Sequence, residues 1–143
     1  MTHEDRGHYA KKHPSESIDP EIKALLEKKA EEGTISCVNA HSIAKKTATT
    51  PEKVGSQADL LELRLVKCQL GLFGHEPEGK LLDPDIEITQ ELDRKLDNSS
   101  AEGRIICRDC WKIADGMKIS RNQVGSACEK KGLKIKQCQL GAF

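Results

Sequence analysis

The feature that most constrains the fold is an internal repeat, in which residues 105–143 follow residues 35–73 at an offset of 70 with no gap. The two segments are identical at 13 of 39 positions, and most of the shared residues are apolar or small. The sequence Cys-Gln-Leu-Gly at 68–71 recurs at 138–141, and upstream matches extend the copies to 17–73 and 87–143. We therefore expect one folding unit to occur twice.

Helix start signals predict three helices in each copy. In the first copy, Asp19 before a proline begins helix one, Ser36 begins a helix that ends near Thr47, and Thr50 begins a helix that ends near Leu61. The second copy has Thr89 and Ser120 at the positions of Asp19 and Thr50. Because the capping positions recur with the apolar positions, the same three-helix unit is predicted twice.

The pattern after helix three changes to an alternation of apolar and polar residues, clearest at 133–137, which is typical of a half-buried strand. A lone strand needs a partner, and its counterpart in the other copy or in another chain is the expected one. The predicted fold class is mainly α, with two repeated three-helix helix-turn-helix units, each followed by a short β-strand.

The segments outside the copies are polar. Residues 1–16 lack periodicity and are predicted to be a disordered tail, and residues 74–86 form an acidic, turn-rich connector. The sequence shows neither a signal peptide nor an apolar run long enough to span a bilayer, which predicts a cytoplasmic protein with no membrane partner. In that compartment the six cysteines are expected to be thiols, metal ligands or redox centres.

Helices two and three with the turn between them resemble the helix-turn-helix of DNA-binding regulators, in a winged variant with a strand after the third helix. The likeness rests on the pair Ile43-Ala44, which recurs as Ile113-Ala114, and on Val54, which recurs as Val124. At the turn position where that family favours glycine, the two copies have Ala48 and Lys118.

The resemblance implies that the third helix of the second copy contacts double-stranded DNA. Arg, Asn and Gln pair with base edges, whereas Lys and Ser hold phosphates. Residues 101–143 carry 9 basic and 4 acidic side chains. The first copy has Glu52 and Asp59 on the equivalent helix, so a homodimer would be needed to present two reading helices. The implied DNA-binding residues are Ser120, Arg121, Asn122, Gln123, Ser126, Lys130 and Lys134.

Both third helices contain a Gly-Ser pair, at Gly55 and at Gly125. Glycine in a helix interior lowers stability by about 1 kcal/mol relative to alanine. Its presence in both copies therefore predicts a steric demand, made either by close helix packing or by the phosphate backbone of DNA.

The cysteines allow three interpretations. Since the first copy has Ala40 and Ala58 where the second has Cys110 and Cys128, these positions are read most simply as small and buried. Alternatively, Cys110 and Cys128 undergo reversible oxidation. The third interpretation is a zinc or iron–sulfur site formed by four thiolates, those of Cys107, Cys110, Cys128 and Cys138.

The leading functional hypothesis is a DNA-binding transcriptional regulator with tandem helix-turn-helix units. Two alternatives stay open: a protein-interaction or assembly module with the same fold, and a thiol- or metal-responsive sensor. The sequence contains no phosphate-binding loop, no Ser/His/Asp arrangement and no acid pair in an apolar context. An enzyme is therefore not expected.

Overall fold

A computed structural model describes residues 9–143 of the protein. The described chain is mainly helical, with short strands, and a 3-10 turn at Tyr9–Lys12 precedes the first α-helix. The elements of the first copy are α1 (Pro20–Lys29), β1 (Thr34–Ser36), α2 (Cys37–Lys46), α3 (Pro51–Leu60) and β2 (Arg64–Val66). Those of the second copy are α4 (Gln90–Ser99), β3 (Arg104–Ile106), α5 (Cys107–Met117), α6 (Arg121–Lys131) and β4 (Lys134–Lys136).

The predicted helix starts are confirmed by the hydrogen bonds that cap them. The Asp19 carboxylate accepts from the first amides of α1, and the Ser36 hydroxyl accepts from an amide in the first turn of α2. Thr50, Thr89 and Ser120 cap α3, α4 and α6 in the same way. Each cap satisfies an amide that has no partner within its own helix. The capping residues therefore set where the helices begin.

Each copy contains its own two-stranded parallel sheet. Strand β1 pairs with β2, with Ile35 opposite Leu65, and β3 pairs with β4, with Ile105 opposite Ile135. The expectation that the later strands pair with each other or with another chain is wrong. Each of them pairs instead with a three-residue strand directly before the second helix of its own copy, a strand too short to show an alternating pattern.

The chain divides into two compact units whose boundaries differ from those of the sequence repeat. Unit 1 extends to Cys68 and also contains Gln139–Phe143, whereas unit 2 is Gln69–Cys138. The compact units therefore differ from the predicted repeats, 17–73 and 87–143, in the segments that follow Cys68 and Cys138. The Gln-Leu-Gly sequence of the first copy, at 69–71, belongs to unit 2, and that of the second copy, at 139–141, belongs to unit 1. We call residues 69–73 and 139–143 the exchanged segments.

The exchanged segments explain the glycines of the third helices. A Cβ atom added to Gly55 would lie 1.8 Å from the carbonyl oxygen of Leu140, and one added to Gly125 would lie 1.9 Å from that of Leu70. The leucine side chains themselves are buried. The predicted steric demand is thus confirmed, but a backbone carbonyl of an exchanged segment makes it, rather than a neighbouring helix.

Aliphatic and small side chains form the core of each unit. In unit 1, α1 contributes Ile22 and Leu26, and the later elements contribute Ile35, Ala40, Ile43, Ala44, Val54, Ala58 and Leu65. In unit 2, the equivalent side chains are Leu92, Leu96, Ile105, Cys110, Ile113, Ala114, Val124, Cys128 and Ile135. Both units bury the same positions, so they have similar cores. They differ mainly in the side chains on their surfaces.

Residues 9–16 contain the 3-10 turn and make specific contacts, which differs from the disordered tail predicted for that part of the chain. Tyr9 is buried, and the backbone amides of Tyr9 and Ala10 donate to the carboxylate of Glu62 at 2.8 Å. The remaining part of that predicted tail, with His3 and His8, lies outside the described residues. No helix within residues 9–143 is both long and apolar enough to cross a membrane.

Candidate nucleic-acid interface

The turn between the second and third helices has the same geometry in both copies. Ala48 and Lys118 adopt left-handed backbone conformations, with φ of +55° and +59°. The next residues, Thr49 and Ile119, donate their amides to Ala44 and Ala114 at 2.9 and 3.0 Å. The left-handed residue therefore falls where the helix-turn-helix family favours glycine, and the small alanine lies directly against the turn.

The first residues of α6 are held by hydrogen bonds within the helix end. The Ser120 hydroxyl accepts from the Gln123 amide at 3.1 Å, and the Gln123 side-chain oxygen accepts from the Ser120 amide at 2.9 Å. This reciprocal arrangement is a capping box. Both side chains are thus engaged in starting the helix.

Arg121 contacts two side chains of α5. Its guanidinium donates to both carboxylate oxygens of Asp115, at 3.2 and 3.0 Å. The same group lies 3.6 Å from the centre of the Trp111 ring, which is a cation–π arrangement. Arg121 is consequently oriented by α5 rather than extended into solvent.

The connector residues 81–86 cover much of the remaining predicted surface, and we call them the connector strap. The Asn122 amide donates to the Leu81 carbonyl, the Ser126 hydroxyl accepts from the Asp83 amide at 2.9 Å, and the Lys130 ammonium donates to the Ile86 carbonyl at 2.9 Å. Ser126 is only 1% exposed. A base edge or phosphate could therefore reach Ser126 only if the strap moved away from α6, whereas Asn122 is half-buried and Lys130 is exposed.

In unit 1, residues 9–17 cover the equivalent face of α3, and we call them the N-terminal strap. The Ser56 hydroxyl donates to Glu16 at 2.7 Å, the Gln57 amide donates to the Ser17 carbonyl at 2.9 Å, and His13 lies 2.7 Å from Asp59. Burial opposes ionisation of Glu16, but hydrogen bonds from Ser56, Lys53 and Gln57 outweigh it and lower the pKa of Glu16. The third helix thus has a covered face in both units.

Three basic side chains of unit 2 lie together on its sheet. Arg104 and Lys134 are directly opposite each other in the β3·β4 pair, and Lys136 lies two residues further along β4. We call these three residues the basic cluster. None of the three forms an ion pair with an acidic residue in the described chain. The charge of Lys134, together with partial desolvation and the charge of Arg104, lowers the pKa of Lys136.

Among the seven residues predicted from the helix-turn-helix resemblance, only Lys134 belongs to this cluster. Arg104 was missed because the first strand of each copy was not recognised. Had that strand been recognised, its pairing with β4 would have placed Arg104 beside Lys134. Unit 1 has Thr34, Arg64 and Val66 at the equivalent positions, so the cluster is specific to unit 2.

The predicted four-thiolate site is not formed. Within residues 9–143, no three His, Cys, Asp or Glu side chains come together in a group that could hold a metal ion. Cys110 and Cys128 are fully buried between α5 and α6, whereas Cys138 is partly exposed after β4. None of the six cysteines, all of which lie within residues 9–143, forms a disulfide bond. The simplest interpretation of the sequence, small buried side chains, therefore fits Cys110 and Cys128.

No family model matches the chain, and comparison with curated proteins and with solved structures finds no similar protein.

Proposed function

We propose that the protein binds double-stranded DNA through unit 2, with the basic cluster contacting phosphates, and that it acts as a regulator with tandem helix-turn-helix units. The observation that carries this proposal is the cluster itself. Its three cations lie on one short sheet, and the field between them is strong enough to lower the pKa of Lys136. A polyanion placed against the cluster would relieve this repulsion and release its own counterions.

The position of the cluster supports a role beside α6. Strand β4 begins three residues after α6 ends at Lys131, and the proposed resemblance to a winged helix-turn-helix would make it the strand after the recognition helix. Because β4 follows α6 so closely in the chain, phosphate contacts at β4 would place the end of α6 beside the same duplex.

The connector strap affects whether α6 can contact base edges in this conformation. Asn122, Ser126 and Lys130 already bond to the strap, and Arg121 bonds to Asp115. Phosphate contacts position a protein without reading sequence, whereas contacts to base edges specify it. We therefore propose that binding in this conformation has little sequence preference, and that base reading by α6 requires displacement of the strap.

Fluorescence anisotropy with a random-sequence duplex, measured over a range of salt concentrations, tests the proposal. Affinity should fall steeply with salt. A triple variant with Arg104→Gln, Lys134→Gln and Lys136→Gln should reduce the slope of log K against log salt by about 3, because each lost phosphate contact removes about 0.9.

The matched control is Arg64→Gln, which neutralises the position equivalent to Lys134 in unit 1 and should leave the slope unchanged. Circular dichroism spectra of all variants should overlay, since none of these side chains belongs to the core. The absence of binding at low salt, or equal salt slopes for the triple variant and the wild type, would refute the proposal.

A further inference from the structure

The core of unit 2 contains a pair of thiols in contact. Cys110 of α5 and Cys128 of α6 are both 0% exposed, and their side chains are hydrogen-bonded to each other. At the same positions, unit 1 has Ala40 and Ala58, which are also 0% exposed. Because the equivalent core closes with two alanines, packing does not require the thiols. The pair is an addition that only unit 2 carries.

The two sulfur atoms are not chemically equivalent. The hydrogen bond to Cys128, with burial, raises the pKa of Cys110. The same bond, opposed by burial and helped by the charge of Lys131, lowers the pKa of Cys128. A thiolate is a far stronger nucleophile than a thiol. In this pair the first sulfur to ionise is therefore Cys128, with the Cys110 thiol as the donor beside it.

We propose that Cys110 and Cys128 are a reversible disulfide site, with a hydroperoxide as the oxidant. The Cys128 thiolate attacks one peroxide oxygen, which gives a sulfenic acid and, after protonation, one water from hydrogen peroxide. The Cys110 sulfur then attacks the sulfenic sulfur, the S–S bond forms, and hydroxide leaves with the Cys110 proton as a second water. The two thiols supply two electrons to the peroxide, and a dithiol reductant returns them.

Burial sets the kind of reagent that reaches this site. Both residues are 0% exposed, so an oxidant enters only when the core of unit 2 opens locally. Since a smaller opening admits a smaller molecule, hydrogen peroxide should react and bulky thiol reagents should not. This inference does not depend on DNA binding.

The experiment uses the full chain, reduced, freed of reductant and exposed to hydrogen peroxide. Thiols counted after denaturation should fall from six to four, with a mass loss of two hydrogen atoms, and dithiothreitol should restore six. Trypsin cleaves after Arg108, Lys112, Arg121 and Lys130. The linked product should therefore join peptide 109–112 to peptide 122–130, which separates Cys110 from Cys107.

The controls use the residues that unit 1 already has at these positions. Cys110→Ala and Cys128→Ala should each abolish the linked peptide, whereas Cys37→Ala should retain it. A linkage to Cys107 or Cys138, an unchanged count of six thiols, or the same loss of two thiols in Cys110→Ala would overturn the proposal. The peptide map of the wild-type chain decides the question even if an alanine variant is poorly folded.

Discussion

Substituting Gly125 with alanine should destabilise the protein, although alanine is the better helix former. Gly125 lies within α6, where replacement by alanine in open space would raise stability by about 1 kcal/mol. Here the new Cβ would lie 1.9 Å from the Leu70 oxygen and 2.8 Å from its carbonyl carbon. Both atoms belong to backbone, so no rotation of a side chain removes the clash.

The magnitude follows from what has to move. Relieving the contact requires the exchanged segment to shift by about 1 Å or more, and overpacking of this kind costs about 1–3 kcal/mol. Leu70 is fully buried, so the shift also disturbs its packing. After subtraction of the gain in helix propensity of about 1 kcal/mol, we expect a net loss of about 1 kcal/mol, or a decrease in melting temperature of about 2–4 °C for a chain of this size.

Gly116 provides the matched control. It lies in α5, and a Cβ added there meets no atom within 4 Å. Gly116→Ala should therefore keep or raise the melting temperature, while Gly125→Ala and Gly55→Ala lower it by similar amounts. Thermal unfolding followed by circular dichroism measures all three. If Gly125→Ala melted at or above the temperature of Gly116→Ala, the proposed contact with the exchanged segment would be refuted.

Three further perturbations test contacts within the individual units. Leu140→Ala should lower the free energy of unfolding, measured by chemical denaturation, by about 2–5 kcal/mol, because the Leu140 side chain is 2% exposed. As a control, Leu81→Ala should change it by less than about 0.5 kcal/mol, because Leu81 is 57% exposed. Ser120→Ala should cost about 1 kcal/mol by the same measurement, since it breaks the capping box of α6, and an unchanged midpoint would count against that cap. Glu16→Gln should destabilise the protein at neutral pH, but not once the pH is below the folded-state pKa of Glu16. The pKa of Glu16 in the folded state lies below the ordinary value of 4.5. Its carboxylate therefore stabilises the fold above pH 4.5, and this stabilisation is lost as the pH falls through the folded-state pKa. A difference in stability between Glu16→Gln and the wild type that did not change with pH would contradict this.

The helices were predictable because their starts depend on local chemistry. A hydroxyl or carboxylate before a helix forms its capping bond with amides two or three residues away, so Asp19, Ser36 and Thr50 indicate the helix starts without any knowledge of the tertiary fold. The strands β1 and β3 were not predictable in this way. Each has three residues with a single buried side chain, and its backbone partner lies 30 residues further along the chain.

The exchange of segments could not be predicted from the repeat for a different reason. Because both copies have the same glycine on helix three and the same Gln-Leu-Gly sequence, either segment is sterically suited to either helix. The repeat thus shows that Leu70 and Leu140 have equivalent roles, but it does not show which glycine each one contacts. Only the folded chain distinguishes docking within a copy from docking between copies, and here Gly55 contacts Leu140.

The Gly-Ser pair of helix three takes its meaning from this exchange and from the straps. The glycine admits the carbonyl of an exchanged leucine, and the serine bonds to the strap that covers the helix. As a hydroxyl both donates and accepts, Ser56 donates to Glu16 while Ser126 accepts from the Asp83 amide. One shared residue can thus hold two straps of different sequence. Since the fold accounts for these shared residues, the argument for DNA binding rests on residues that only unit 2 has, which are Arg104 and Lys136 beside Lys134.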